Sequence, residues 1–199
     1  MTGALPTIRV TTHRLRWLIG RDSTEIEAIW KSLFFATHAT AVGAITSLAL
    51  AAIDTALWDL KCRRAGLPLW RMAGGAQPRV PVYTTEGGWL HRSPQQLVDE
   101  AVAAQAQGFR GAKVKVGRPT IAEDVARLAA VRAAVGDAFE LMVDANQAFT
   151  VAEACRRAHA YRDVMLGWFE EPLPAEDLAG HVELAAKASM PIAVGESLY

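Results

Sequence analysis

Two textures of apolar spacing divide the chain. Over the first 78 residues the pattern is helical. Ile26, Ile29, Trp30 and Leu33 recur at helical spacing behind Asp22 and Glu25, which make a capping-box pattern. Ala41 to Arg64 reads as one long helix, stopped by Gly66 and Pro68. Beyond Pro78, short β-branched runs at 80–83, 112–116, 140–143, 166–169 and 192–194 predict strands. Helical segments lie between them. Ser93, Thr120 and Thr150 stand as N-caps, each with Gln or Glu three residues on (Gln96, Glu123, Glu153). Pro94 suits the first helical position, and Gly108 and Gly136 suit the stops.

Strand and helix in alternation, with strands apolar along nearly their whole length, predict a parallel sheet covered by helices. An open doubly wound sheet and a (β/α) barrel both satisfy that pattern. The open sheet's nucleotide-binding form carries G-x-G-x-x-G opening a helix after its first strand; Gly87-Gly88 here lacks that spacing. The expected division is 1–78 as a partial N-terminal capping domain and 79–199 as the N-terminal part of a barrel.

Composition narrows the function classes. The 199 residues carry 21 basic and 21 acidic side chains, a net charge of zero, and are 51% hydrophobic. A phosphate-tracking nucleic-acid binder or a polybasic membrane-surface protein needs a basic excess, and a disordered chain needs low hydrophobicity. The most apolar stretch, Ala41 to Trp58, is interrupted by polar residues and is shorter than the roughly 20 residues a membrane span requires. No apolar signal region follows the N-terminal Met-Thr-Gly-Ala-Leu-Pro, and Cys62 and Cys155 read as two free buried thiols in a reducing compartment. A cytoplasmic location is expected.

The charges at the strand ends decide for the barrel. Lys115, Asp144, Glu170 and Glu196 each close a predicted strand, at intervals of 29, 26 and 26 residues. One strand, one helix and two short loops need about that length, so each step returns the chain to the same rim, the C-terminal face where α/β sites lie. Three carboxylates on one rim repel one another unless a cation compensates them, and an all-oxygen set suits Mg²⁺, with Mn²⁺ as the alternative. Asp144, Glu170 and Glu196 are therefore the candidate metal ligands.

Only five of the basic residues are lysines, and two of those stand together in Lys113-Val114-Lys115. Spaced two apart on a strand, they share a face. Mutual repulsion and desolvation then lower both pKa values, which makes Lys115, nearer the rim, a candidate general base. Lys113 is its electrostatic partner and a candidate contact for a substrate carboxylate; a purely structural pair is the competing reading. Asn146, two residues past Asp144, is placed to donate to a substrate oxygen. Glu171 points away from the metal as a supporting partner, and His91, with the 84–89 loop, is placed to line a pocket.

Lys113-Val114-Lys115, Val143-Asp144-Ala145-Asn146, Phe169-Glu170-Glu171-Pro172 and Gly195-Glu196 together resemble the signature of the enolase superfamily. Within it they resemble the mandelate racemase subgroup and its acid-sugar dehydratases, since Glu rather than Asp stands at the third ligand position. Ala52 to Leu60 is similar to the helical part of that family's capping domain, and the Tyr83 to His91 loop to those of galactarate and talarate dehydratases. The resemblance implies a Mg²⁺-dependent lyase or isomerase that removes the α-proton of a hydroxy-carboxylate through an enediolate, most simply followed by dehydration. A racemase or epimerase is the alternative on the same residues. The substrate is a small carboxylate, and the full-length form is expected to be a homo-oligomer.

The fold implied is a partial (β/α)8 TIM-type barrel, with about five of eight strands, behind a mostly helical remnant of an α+β capping domain. The His–Asp pair of the family's later strands has no counterpart before Tyr199. An inactive, truncated fragment that keeps only the metal-ligand positions is therefore the third reading.

Overall fold

A computed structural model describes residues 17–40 and 43–198, so the readings placed on the N-terminal segment and on residues 41 and 42 lie outside the described residues. Contacts divide the chain between Val80 and Pro81. The first unit is helical among its described residues, with α1 (Ile26–Thr37), α2 (Ala44–Ala65) and a single turn, α3 (Leu69–Met72). Ile29 and Leu33 on α1 pack with Leu50 and Ile53 on α2, as the helical spacing requires.

Asp22 is not the cap that the sequence pattern predicts. Its carboxylate accepts from the Thr24 backbone and hydroxyl, both at 2.8 Å, closing a local turn, and α1 begins after Glu25 without a side-chain cap. Asp competes for nearby backbone donors, and here the turn takes it before the helix can. The other end of α2 behaves as read. Gly66 takes the left-handed conformation (φ +63) that ends a helix, and Leu67 N–H closes back on Cys62 O at 3.1 Å. Both cysteines are free; Cys62 is buried as expected, but Cys155 is only half-buried. Among the described residues, no helix is long and apolar enough to cross a membrane.

The second unit alternates as predicted: β1 (Tyr83–Thr84), α4 (Pro94–Ala106), β2 (Gly111–Lys115), α5 (Ile121–Val135), β3 (Glu140–Asp144), α6 (Val151–Ala160), β4 (Phe169–Glu170), α7 (Leu178–Lys187) and β5 (Ile192–Ala193). The strands form one sheet in the order β1-β2-β3-β4-β5, every pair parallel. A doubly wound sheet reverses its order at a switch point; a strictly sequential one is the winding of a (β/α) barrel. Curvature agrees. The rings of Tyr83, on β1, and Trp168, just before β4, lie 5.2 Å apart, whereas three strand spacings in a flat sheet separate such positions by about 14 Å.

Alternation sorts the two sheet faces. Ala112, Val114, Leu141, Val143 and Phe169 enter the core beneath the helices. Lys113, Lys115, Met142, Asp144, Trp168 and Glu170, one residue out of step with them, belong to the opposite face.

Ser93 and Thr120 close full capping boxes with Gln96 and Glu123, while Thr150 caps α6 through the Glu153 N–H alone. Thr120→Ala is expected to cost about 1 kcal/mol, read as a lower urea midpoint at unchanged slope; an unaltered midpoint would remove the cap from the account. At the other end of α5, Arg132 gathers the loops that enter β3 and β4. Its guanidinium donates to the carbonyls of Gly136, Phe139, Val164 and Met165 at 2.7–3.0 Å.

Candidate active site

Strand register lines up three of the predicted residues. Lys115 pairs with Asp144, and Asp144 with Glu170, so their side chains stand in one row where β2, β3 and β4 end. Lys113 is one pleat below. Its ammonium reaches up between the two acids, 2.6 Å from Glu170 Oε1 and 3.1 Å from Asp144 Oδ2. The Lys115 ammonium donates to Asp144 Oδ2 and Asn146 Oδ1, both at 2.6 Å. Asn146 N–H returns to Asp144 Oδ1 at 2.9 Å, so the carboxylate is held on both oxygens. Trp168, two residues before Glu170 and on the same face, donates from its indole Nε1 to Glu170 Oε2 at 2.9 Å.

The row is buried most at its centre: Asp144 is 1% exposed, Lys113 9%, Glu170 17% and Lys115 23%. Burial pushes the Asp144 carboxyl up. Hydrogen bonds from Lys115, the Asn146 N–H and Lys113 outweigh it and hold the group below the ordinary carboxylate value. Burial likewise pulls the Lys113 ammonium down, but its bonds to Glu170 and Asp144 carry it above the ordinary lysine value. At Lys113 this corrects the expectation of a depressed value: its ammonium lies within 3.1 Å of two carboxylates, and their bonds outweigh the burial that would lower it.

The fifth strand departs from the expected register. Glu170 pairs with Ala193, so the row continues at Ala193 and Glu196 lies three residues beyond it, in an exposed turn. Glu196 and Glu170 border one cavity of about 200 Å³, together with Trp168, Glu171 and Val194. Among the described residues, no three His, Cys, Asp or Glu side chains form a group able to hold a metal ion. What the structure brings together is a pair, Asp144 and Glu170, with a cation already seated between them in the form of Lys113. An all-oxygen pair that cradles an ammonium is a donor set suited to a hard cation. Glu171 is buried beside the site with φ +40, and His91 stands on the exposed turn ahead of α4.

Residues outside the row hold this rim in place. Gly88 O accepts from Lys115 N–H at 2.7 Å, and a β-carbon at Gly88 would collide with the Lys113 carbonyl. Arg127 donates to Lys115 O at 3.0 Å and to Trp89 O at 3.2 Å, so one guanidinium ties β2 to the loop after β1. Behind it Asp124, fully buried, accepts from Gly117 N–H, Arg127, Arg157 and the Tyr161 hydroxyl. The available signal was positional: Asp124, Arg127 and Arg132 fall on the same stripe of α5 as Leu128, Val131 and Val135, all buried.

Residues 96–199 match the family model described as enolase C-terminal domain-like, and residues 5–74 match the mandelate racemase/muconate lactonizing enzyme N-terminal domain. The chain is 43% identical over 181 residues to the L-talarate/galactarate dehydratase of Salmonella typhimurium, covering 91% of this chain and 46% of that protein. It is 44% identical over 183 residues to the 3,6-anhydro-alpha-L-galactonate cycloisomerase of Streptomyces coelicolor, covering 92% and 50%. The crystal structure of L-talarate dehydratase from Polaromonas sp. JS666, complexed with Mg and L-glucarate, superimposes with a TM-score of 0.90 at 40% identity, over 100% of this chain and 55% of that one. The chain spans about half the length of the curated relatives it matches.

Proposed function

Because the chain belongs to the mandelate racemase/muconate lactonizing enzyme family of the enolase superfamily, we propose that its rim serves Mg²⁺-dependent abstraction of the α-proton of a sugar-acid carboxylate, followed by loss of the β-hydroxyl. The observation that carries this reading is the Lys113 ammonium seated between Asp144 and Glu170, with Lys115 one pleat nearer the mouth. Asp144 and Glu170 would hold the cation, with Glu196, which borders the same cavity as Glu170, as the third candidate ligand. The chemistry a divalent ion supplies at such a rim is charge stabilisation of carboxylate oxygens.

The chain's own residues divide the remaining work. Lys115, the more exposed lysine, takes the α-proton on Nζ. Lys113 stays charged, because its carboxylate partners raise its pKa, and it neutralises negative charge that develops on the substrate. Asn146 and His91 contact substrate oxygens. Trp168 keeps one oxygen of Glu170 turned away from Lys113. The sugar-acid dehydratases among the relatives support a hydroxy-acid substrate, and the cycloisomerase supports an isomerisation as the alternative outcome.

The test is proton exchange. In D₂O with Mg²⁺ and galactarate or L-talarate, the chain is expected to exchange deuterium into C2 of the recovered substrate and to release water and a 2-keto-3-deoxy acid that carries deuterium at C3. Chelation is expected to stop both. Mn²⁺ binding with no exchange of any acid-sugar proton would sink this reading. An inverted carbon without the keto acid would replace dehydration by epimerisation.

A further inference from the structure

The side chain of Gln147 joins loops from three successive strands. It stands just past β3. Its Oε1 accepts from Ala175 N–H, in the loop after β4, at 2.9 Å. Its Nε2 donates to Ser197 Oγ, in the turn after β5, at 2.8 Å. Its own backbone N–H donates to Glu171 O at 2.7 Å, and Glu171 N–H continues to Ala193 O at 2.9 Å. Two links of this belt, Gln147 (φ +64) and Glu171 (φ +40), and the neighbouring Asn146 (φ +46) are in the left-handed region although none is glycine. Such backbone persists only where the surroundings over-determine it.

We propose that Gln147 is a positioning residue that sets the turn carrying Glu196. The β4–β5 ladder ends at Ala193, after only two residues, and a ladder that short gives weak register to the turn beyond it. Glu196 is three residues further on and adjacent to Ser197. The bond from Gln147 to Ser197 is therefore a cross-strand tie beyond the last ladder position. It fixes the turn from the β3 side, where Asp144 stands. Both polar ends of the amide are engaged by protein partners, so Gln147 acts through Glu196 and not on substrate. The functional half of this inference rests on the reading of Glu196 as the third carboxylate; the structural half does not.

Gln147→Met keeps the length of the side chain and removes both bonds. In the 199-residue chain, hydrogen–deuterium exchange of the 194–198 backbone is expected to rise about tenfold, with β3 unchanged. Ser197→Ala, which removes one of the two bonds, is expected to give a smaller rise in the same direction, and it serves should Gln147→Met fail to fold. Mn²⁺ affinity, read by electron paramagnetic resonance, is expected to weaken about tenfold in Gln147→Met. Thr120→Ala, destabilised away from the rim, should move neither readout. Unchanged exchange in both variants overturns the tie. Raised exchange with full Mn²⁺ affinity overturns its role in setting Glu196. Raised exchange in a protein whose wild-type form binds no Mn²⁺ upholds the tie and overturns the metal reading instead.

Discussion

Asp124→Ala is expected to lower the unfolding free energy by about 3–5 kcal/mol, the cost of stranding buried charge. The Asp124 carboxylate is fully buried. It faces two guanidiniums that are themselves almost wholly buried, Arg127 at 3.2 Å and Arg157 at 2.5 Å. It also accepts the N–H groups of Gly117 and Arg118 and the Tyr161 hydroxyl. Removing it leaves two cations and three donors without their acceptor. Burial pushes the Tyr161 phenol up, and the Asp124 charge adds to this, so the hydroxyl remains a donor at every pH of interest.

A domain with a total stability of about 5–15 kcal/mol loses a large part of it in this way. Urea unfolding followed by circular dichroism measures the loss. A drop below about 1 kcal/mol would mean that water replaces the carboxylate and that the network is not what holds α5 and α6 together. The double variant with Arg157→Met is expected to recover part of the loss, since it also removes one of the stranded charges.

The range over which each interaction acts separates the features legible in the sequence from those that were not. Strand–helix alternation is local, and so are the caps at Ser93 and Thr120; both come from residues within a turn of one another. The matched spacing of Lys115, Asp144 and Glu170 was legible because one repeating unit sets it, and the three pair in register. Glu196 follows the same spacing and yet sits three residues past the row, because β5 begins at Ile192, as its apolar run suggests, and the residue that pairs with Glu170 is already Ala193. Asp22 had the composition of a cap but was taken by a nearer donor, Thr24.

The Asp124 network was not legible. Asp and Arg on a helix ordinarily face water, and only the partner elements reveal that these do not. The direction of the Lys113 shift was missed for a related reason. Two lysines on one strand are visible in the sequence as neighbours, but the carboxylate that dominates, Glu170, comes from two strands away and 57 residues on. Long-range partners decide the sign of a shift that local spacing only suggests.

Lys115→Met should therefore separate the two lysines. If Lys115 is the base, α-proton exchange falls by about 10²–10⁴-fold, the usual worth of a positioned general base, while Mn²⁺ affinity is retained or rises. The rise is expected because the Lys115 ammonium, at 2.6 Å from Asp144 Oδ2, competes with any other cation for that oxygen, and methionine does not. Lys113→Met is expected to act differently. It removes the ammonium that bridges Asp144 and Glu170, so repulsion between the two carboxylates is no longer screened and they bind a divalent ion more tightly. Exchange then falls through the loss of a charge beside the substrate and not through the loss of the proton acceptor. The pH profile tells them apart: a variant lacking the base loses the limb that reports its deprotonation, whereas one lacking only a nearby charge keeps that limb and shifts it. Exchange by Lys115→Met within tenfold of the wild-type rate would reassign the base.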